Sequence, residues 1–279
     1  MAHTVRDINQ RFWSSIHTPY LTIRSTSDSI QGYKAHSHEE LSIGIIQSGM
    51  TCIAMGDKDI LLQEGDIILI EPNKVHACNP VNGIARSYYM LYIDSAWCSK
   101  MLSTIYGYEV TQFTCHQSLI SSQYSETALT ALIERLYGQV SQQTVSEIEH
   151  ALFHIVSCYC SPLAVRSNED ELAYELRSYL LENIAEPTSL SHIAQQLERP
   201  KESLIRSFKR RFGITPRSFV NNSRIEKAKL LLKNGMSIVD VANELGFSDQ
   251  SQLHRAFVNY TASTPRQYQK GVLISDNNL

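Results

Sequence analysis

The 279-residue sequence lacks the features that mark membrane, secreted and disulfide-rich proteins. It has no uninterrupted run of about 18 apolar residues that would span a bilayer, and residues 1–25 contain no compact apolar segment of the kind found in signal peptides. Its six cysteines are scattered, without the density of a disulfide scaffold or the paired Cys-x-x-Cys motifs of a zinc module. We therefore expect a protein of the reducing cytoplasm that has no membrane segment.

What the chain does have is enough apolar residues, 43%, to bury globular cores, and a length that suits two domains. Residues 1–165 hold nine Lys and Arg against 15 Asp and Glu, a net charge of −6, whereas residues 166–279 hold 16 against 13, a net charge of +3. A polar stretch at 166–171 follows Ser161-Pro162 and separates two apolar-periodic segments. These features predict a first domain at 1–160, a linker at 161–171 and a second domain at 172–279.

Short apolar runs separated by turn residues fill most of the first domain. They are Leu41–Gln47, Thr51–Met55, Ile60–Gln63, Ile67–Ile70 and Ser87–Ile93. Five or more strands at this spacing favour an antiparallel sandwich or barrel. After Tyr124 the apolar period becomes helical and predicts two amphipathic helices, near residues 129–140 and 148–159. Either both helices cover the strands, or one apolar face pairs with a second subunit.

The second domain contains an internal repeat. Four residues recur 48 positions later, so that Ser189, Ile193, Ala194 and Leu197 reappear as Ser237, Val241, Ala242 and Leu245. Each copy predicts a short helix, a tight turn and a longer helix, which is a helix-turn-helix, at 190–212 and 238–260. Between them, Pro216 begins a helix of about 17 residues, roughly 25 Å long, which suits two recognition helices in successive major grooves. The segment Arg199–Lys233 holds eleven basic and two acidic residues, which indicates a polyanionic partner.

The stretch from Leu190 to Lys270 resembles the DNA-binding domain of AraC/XylS-type transcription regulators over its whole length. The matching segments are IAQQL, SLIRSFKRRFGITPRSF, RIEKAKLLL, IVDVANELGFSDQSQLHRAF and TPRQY. The resemblance implies seven helices, double-stranded DNA as the partner of both motifs, and a transcription factor, usually an activator that contacts RNA polymerase. It places base contacts at Arg206, Gln250, Ser251, His254 and Arg255. Arginine pairs with guanine and glutamine with adenine in the major groove, so these residue types fit direct readout.

Four cations are expected to neutralise phosphates without reading sequence: Lys201, Lys209, Arg210 and Arg211. Ser203 and Gln252 complete the candidate DNA contacts. Two residues depart from the repeat in the first motif. Glu198 stands where the second motif has the turn glycine Gly246, and Glu202 places a carboxylate near the groove. For Arg255, an ion pair within the domain is the alternative to a base contact.

Residues 20–95, with HSHEELSIGIIQSG, LQEGDIILIEPNKVHACNP and YYMLYID, resemble a cupin-like sensor domain of the arabinose-binding type. This resemblance implies a small β-barrel with a ligand cavity at its mouth. The candidate effector contacts are His36, His38, Glu40, His76, Arg86, Tyr88 and Tyr92. Such a set suits a sugar, an amino acid or another small polar acid.

Metal-binding cupins use a His-x-His, a later carboxylate and a distant histidine. His36, His38 and His76 fit that order, but Glu40 follows His38 by two residues instead of three to five. We therefore favour a pocket without a metal or another cofactor.

Together these patterns predict an α+β protein, with an antiparallel β-barrel and flanking helices followed by an all-α domain of two helix-turn-helix motifs joined by a long helix. We expect a cytoplasmic homodimer that regulates transcription in response to a small effector and is not an enzyme. Two alternatives remain open. One is a metal-dependent cupin enzyme tethered to nucleic acid, and the other is an effector-free regulator whose barrel serves only as a dimer platform.

Overall fold

The computed structural model describes residues 9–121, 127–138, 141–163 and 171–271. In the first half of the described residues, eleven antiparallel strands form two larger sheets and one short pair. The strands are β1 (Asn9–Ser14), β2 (Leu21–Ser29), β3 (Leu41–Ser48), β4 (Thr51–Met55), β5 (Lys58–Leu62), β6 (Ile67–Ile70), β7 (His76–Pro80), β8 (Arg86–Ile93), β9 (Phe113–Cys115), β10 (Leu119–Ile120) and β11 (Cys160–Pro162). The sheet orders are β1-β2-β8-β3-β6-β10, β5-β4-β7 and β9-β11.

The central strands β3, β6 and β8 are buried on both faces, which explains their nearly continuous apolar sequences. One face, with Ile43 and Leu91, packs against helices. The other face, with Ile46 and Ile68, packs against Ile53 of the smaller sheet. The predicted antiparallel β fold is confirmed, but the expected closed barrel is corrected to two separate sheets. Among the described residues, the sheets share no continuous hydrogen-bond ladder.

Three helices complete the described part of the first domain: α1 (Ser95–Tyr106), α2 (Thr127–Gly138) and α3 (Gln142–Tyr159). The predicted helices correspond to α2 and α3, and their apolar residues join the same core as the large sheet, among them Leu129, Ile133, Ile148 and Leu152. This packing supports the alternative in which both helices cover the strands. The predicted linker overlaps residues 164–170, which lie outside the described residues, whereas Ser161 and Pro162 pair with β9 as part of β11.

The second domain is helical. Its helices are α4 (Glu171–Glu182), α5 (Leu190–Gln196), α6 (Lys201–Phe212), α7 (Pro216–Lys233), α8 (Ile238–Glu244), α9 (Gln250–Thr261) and α10 (Pro265–Gly271). The seven helices implied by the resemblance are therefore present in the described part of the chain. Ser189 and Ser237 cap the equivalent helices α5 and α8, each accepting a backbone hydrogen bond at 3.2 Å. No helix in the described ranges is both long and apolar enough to cross a membrane.

Helix α7 connects two small cores. Phe219 and Val220 near its start pack with Leu204 and Phe208 of the first motif. Ile225, Ala228 and Leu232 further along pack with the second motif, including Val241, Leu253 and Phe257. Each helix-turn-helix thus has its own core, and the shared helix fixes their separation.

Candidate functional site

The two recognition helices, α6 and α9, expose most of the predicted DNA contacts. On α9, the side chains of Gln250, Ser251, His254 and Arg255 are exposed, while Leu253 and Phe257 anchor the opposite face. Among the ion pairs of the described residues, none involves Arg255. The described residues therefore give no support to the alternative of an ion pair within the domain, and the base contact of Arg255 stays a prediction.

Gln252 also lies at the start of α9, but its side-chain oxygen accepts a hydrogen bond from the backbone N–H of Ser248 at 2.8 Å. The carboxylate of Asp249 accepts from the backbone N–H of Gln252 at 2.6 Å. These reciprocal bonds close the helix N-terminus. The structure thus gives Gln252 a capping role that the repeat alone does not indicate.

On α6, Lys201, Arg206, Lys209 and Arg210 are exposed, and Ser203 is half-buried. Arg211 differs from its neighbours, because its guanidinium lies over the ring of Tyr174, 5.2 Å from the centroid, and donates to that hydroxyl group. Its guanidinium therefore packs on α4, and its phosphate contact stays a prediction.

The turns of the two motifs share one backbone conformation despite different residues. Glu198 has a φ of 49° and Gly246 a φ of 68°, so both occupy the left-handed region. At Gly246 a Cβ atom would lie 1.9 Å from the carbonyl oxygen of Ala185. The departure of Glu198 from the repeat therefore leaves the first motif intact, while the second motif requires glycine.

A cavity of about 410 Å³ lies between the two domains rather than within the sheets of the first. Strands β1, β2 and β8 and the loop before β3 form one wall, and α7, the end of α9 and α10 form the other. Its aromatic lining residues are Phe12, Tyr33, Tyr92, Tyr260 and Tyr268. The acidic side chains of Glu39 and Asp94 are exposed at the rim, whereas Arg24 and Tyr33 are buried.

Arg24 is the main charged group in the buried part of this cavity. It is 5% exposed, its Nη1 donates to the carbonyl oxygen of Thr261 at 3.0 Å, and its Nε has no hydrogen-bond partner among the described residues. Its guanidinium carbon lies 5.7 Å from the ring centroids of three tyrosines, Tyr33, Tyr88 and Tyr92. Within the described ranges, Arg24 forms no ion pair with a carboxylate. The aromatic faces stabilise this cation, but they do not neutralise its charge.

A second cation, Lys229 of α7, differs because it is already paired. Its Nζ lies 2.7 Å and 2.8 Å from the two carboxylate oxygens of Glu226. Burial lowers the pKa of Lys229, but the attractions of Glu226, Tyr268 and Glu40 together outweigh it, so the pKa is raised. Glu226 Oε1 also lies 3.3 Å from Nδ1 of His38. A chain of polar contacts therefore connects the first domain to α7.

The predicted effector contacts divide into two groups. His36, His38, Glu40 and Tyr92 line the cavity, whereas His76, Arg86 and Tyr88 do not. Arg86 is buried because its guanidinium donates to the carbonyl oxygens of Gln31 and Cys78, both at 3.1 Å. Tyr88 bonds to the hydroxyl group of Tyr33, and the ring of His76 lies against that of His36.

Sequence reasoning does not find Arg24 and Lys229. The only sequence signal for Arg24 is that it is a single charged residue in the segment LTIRSTS, where apolar and polar residues alternate as is typical of a strand. Lys229 lies in a basic segment whose charge, taken as a whole, indicates DNA.

Comparisons with known proteins cover both halves of the chain. A family model described as an AraC-like ligand binding domain matches residues 18–155, and one described as a helix-turn-helix domain matches residues 193–271. The uncharacterized HTH-type transcriptional regulator YbfI of Bacillus subtilis is 28% identical over 231 residues, which cover 80% of this chain and 82% of YbfI. An HTH-type transcriptional regulator of Haemophilus influenzae is 22% identical over 274 residues, covering 87% of this chain and 92% of that protein.

Solved structures of ToxT from Vibrio cholerae have a similar fold. One, bound to (E)-4-(8-methylnaphthalen-1-yl)but-3-enoic acid, aligns with a TM-score of 0.56 and 15% identity, over 94% of this chain and 99% of ToxT. Another, bound to unsaturated fatty acid, aligns with a TM-score of 0.53 and 15% identity, over 95% and 96%.

Proposed function

The chain belongs to the AraC family of HTH-type transcriptional regulators, and from that premise we propose that its effector is a carboxylate with an apolar body, bound between the two domains. The observation that carries this proposal is Arg24, a buried cation that lines the cavity and has no anionic partner in the described part of the chain. A buried charge is costly unless it is paired, so an anion at this position is favoured.

The rest of the cavity indicates the shape of that anion. Its volume of about 410 Å³ falls within the range typical of small-molecule sites, roughly 300–1,000 Å³. Five aromatic side chains offer apolar and edge contacts, which suit a hydrocarbon body better than a sugar with many hydroxyl groups. Both ToxT ligands named above are carboxylic acids with apolar bodies. These features favour a mostly apolar acid over the sugar, amino acid or small polar acid expected from the sequence.

Such an effector would act by changing how the domains sit on each other. Because the cavity has walls from both domains, an occupant contacts α7 and the first domain at the same time. A ligand shifts an equilibrium only when it binds one arrangement more tightly than the other. We therefore expect the acid to bias the position of the two recognition helices relative to their DNA site.

A thermal-shift screen tests this proposal. Oleic acid is compared with methyl oleate, arabinose and alanine, using the full chain and the variants Arg24→Met and Lys100→Met. We expect the acid, but not its ester, to raise the melting temperature by several degrees in the wild type and in the exposed control Lys100→Met. Arg24→Met should lose that response. Equal shifts with acid and ester, or an unchanged response in Arg24→Met, would contradict the carboxylate assignment.

DNA recognition by the exposed faces of α6 and α9 belongs to the same proposal, as do contact with RNA polymerase, activation of transcription and action in the cytoplasm. A homodimer also stays a prediction. The apolar faces of α2 and α3 are occupied by their own domain, so a dimer would use their outward faces, where Phe153 is 39% exposed.

A further inference from the structure

Three histidines of the first domain meet in one buried cluster. His36, His38 and His76 are 4%, 7% and 2% exposed. Their ring centroids are 4.5 Å, 4.8 Å and 5.3 Å apart, and one nitrogen of each ring lies within 4.8 Å of the others. Three imidazoles gathered away from water are a chemically specific arrangement that the carboxylate proposal does not use.

The backbone holds the three rings in place. His36 and His76 form a reciprocal pair of backbone hydrogen bonds, at 3.0 Å and 2.9 Å. The carbonyl oxygen of His38 accepts from the backbone N–H of Asn73 at 2.7 Å. The cluster is therefore formed by paired main chain from two segments, and its geometry does not depend on side-chain packing alone.

Hydrogen bonds to the outer nitrogens determine which ring nitrogen carries the proton. Nδ1 of His36 lies 2.6 Å from the carbonyl oxygen of Lys34, and Nδ1 of His76 lies 2.9 Å from that of Lys74. A carbonyl oxygen can only accept, so in both rings Nδ1 carries the hydrogen and Nε2 presents a lone pair. Nδ1 of His38 lies 3.3 Å from the carboxylate of Glu226 and 3.5 Å from the ammonium group of Lys229, and we assign this ring the same tautomer, in which Nδ1 donates to the carboxylate.

This pattern is the one that metal-binding histidines use, in which the second ring nitrogen donates to a backbone carbonyl or a carboxylate. Three converging lone pairs without a hydrogen between them repel one another, and a cation removes that repulsion. Glu226 is already paired with Lys229, which suits it to orienting His38 rather than to ligating.

We propose that His36, His38 and His76 bind one divalent transition-metal ion of the zinc type through their Nε2 atoms. Zinc–nitrogen bonds of about 2.0–2.1 Å in a tetrahedron require the nitrogens to be about 3.4 Å apart, so binding draws the rings together by roughly 1 Å. Since His36 and His38 line the interdomain cavity, the metal is reached from that side. One ligand, His38, is held by Glu226 on α7 of the second domain. Metal binding therefore stabilises the contact between the domains.

This site revises the metal-free pocket favoured from the sequence. The carboxylate beside the histidines is not Glu40, two residues after His38, but Glu226 on a helix of the other domain. The His-x-His spacing gives no indication of a residue so far away in the sequence. The metal site and the carboxylate effector are tested independently, because metal binding is measured by titration and effector binding by the thermal shift.

Metal titration of the full-length protein tests the proposal. After chelator treatment and dialysis, Zn²⁺ is titrated against a chromophoric competitor, and Co²⁺ is added separately to record its visible spectrum. We expect one tight equivalent per chain and the intense d–d bands of a tetrahedral cobalt site. His76→Gln and His38→Gln should each lower the affinity at least about 100-fold, and Glu226→Gln about 10- to 100-fold with the stoichiometry retained.

His192→Gln removes an exposed histidine of α5 and serves as the matched control, with unchanged affinity and stoichiometry. Circular dichroism of each variant shows whether the fold is retained, and Glu226→Gln keeps the test valid if a ligand variant does not fold. Binding that is equally weak in the wild type and His38→Gln, or a cobalt spectrum typical of octahedral aqueous ions, overturns the proposal.

Discussion

Gly246 shows how a single backbone position can be essential in one repeat and replaceable in the other. Its φ of 68° disfavours any side chain, and a Cβ atom would also collide with the carbonyl oxygen of Ala185 at 1.9 Å. Since that atom belongs to the backbone, the clash is not relieved by a rotamer change. Glu198 has the same left-handed backbone, at a φ of 49°, and is accommodated. Two separate constraints therefore act at this position of the repeat. One is the left-handed backbone conformation, and the other is the room available for a Cβ atom.

We expect Gly246→Ala to destabilise the protein by more than about 2 kcal/mol, because strain and collision add. Gly235→Ala is the matched control. Gly235 has a φ of 85° in the same domain, but no atom of the described residues lies within 4 Å of the place that a Cβ would take, so only the conformational cost of about 1 kcal/mol should appear. Urea unfolding of both variants measures the difference. Equal losses in the two variants would show that the close approach to Ala185 does not matter.

Individual site residues are only partly predictable. The His-x-His spacing identifies His36 and His38 because alternate residues of an extended segment share a face. Residue type places Arg86 in the pocket, but its two terminal guanidinium nitrogens donate to backbone carbonyls, including that of Gln31. Arg24 is not predictable from the sequence, because its role depends on having no carboxylate partner among the described residues. A sequence pattern does not show which buried cation lacks such a partner.

At the scale of elements, the helices of the second domain follow from the sequence closely. Apolar spacing, the caps Ser189 and Ser237, and Pro216 at the start of α7 are local signals, and a helix is determined largely by local signals. The sheets are less predictable. Strand β2 pairs with β8, whose partner residues lie 57 to 72 positions away, and such pairing depends on long-range packing. The separation into two sheets is therefore not accessible from strand spacing.

DNA binding should respond differently to the loss of a positively charged side chain from each of the two recognition helices. Arg255→Ala on α9 removes a candidate base contact, so we expect specific binding to fall by about 1–3 kcal/mol and the preference at one base to relax. Lys209→Ala on α6 removes a candidate phosphate contact. It should weaken binding to every sequence alike and reduce the dependence of affinity on salt concentration.

Both effects are measured by selecting an operator from random oligonucleotides and titrating it, beside a scrambled duplex, at several salt concentrations. Lys100→Ala on α1, far along the chain from either motif, is the control. A loss from Arg255→Ala that is identical on operator and scrambled DNA would assign this residue to the backbone rather than to a base.

For the whole molecule, the contact between the domains is the feature through which the proposed effector would act on DNA binding. In this contact, Arg24 donates a hydrogen bond to the carbonyl oxygen of Thr261. The backbone N–H of Lys34 donates to the carbonyl oxygen of Asn259 at 3.1 Å. Ala262, at the end of α9, packs into the core between the two sheets. The second recognition helix is thus held at its C-terminal end by the first domain, while its N-terminal end is exposed.

Asn222 of α7 is the residue through which this contact can be weakened most selectively. It is 4% exposed, its Nδ2 donates to the carbonyl oxygen of Ser37 at 2.9 Å, and its Oδ1 accepts from the N–H of Ser37 at 3.4 Å. Asn222→Ala would leave both backbone groups of Ser37 without these partners, at a cost of about 1–3 kcal/mol. Because that cost falls on the interface and not on either core, we expect calorimetry to resolve two unfolding transitions where the wild type shows one. Asn243→Ala, on the exposed side of α8, should leave the single transition in place. A single, unshifted transition in Asn222→Ala would mean that the domains are coupled by apolar packing, as at Ala262, rather than by this hydrogen-bonded pair.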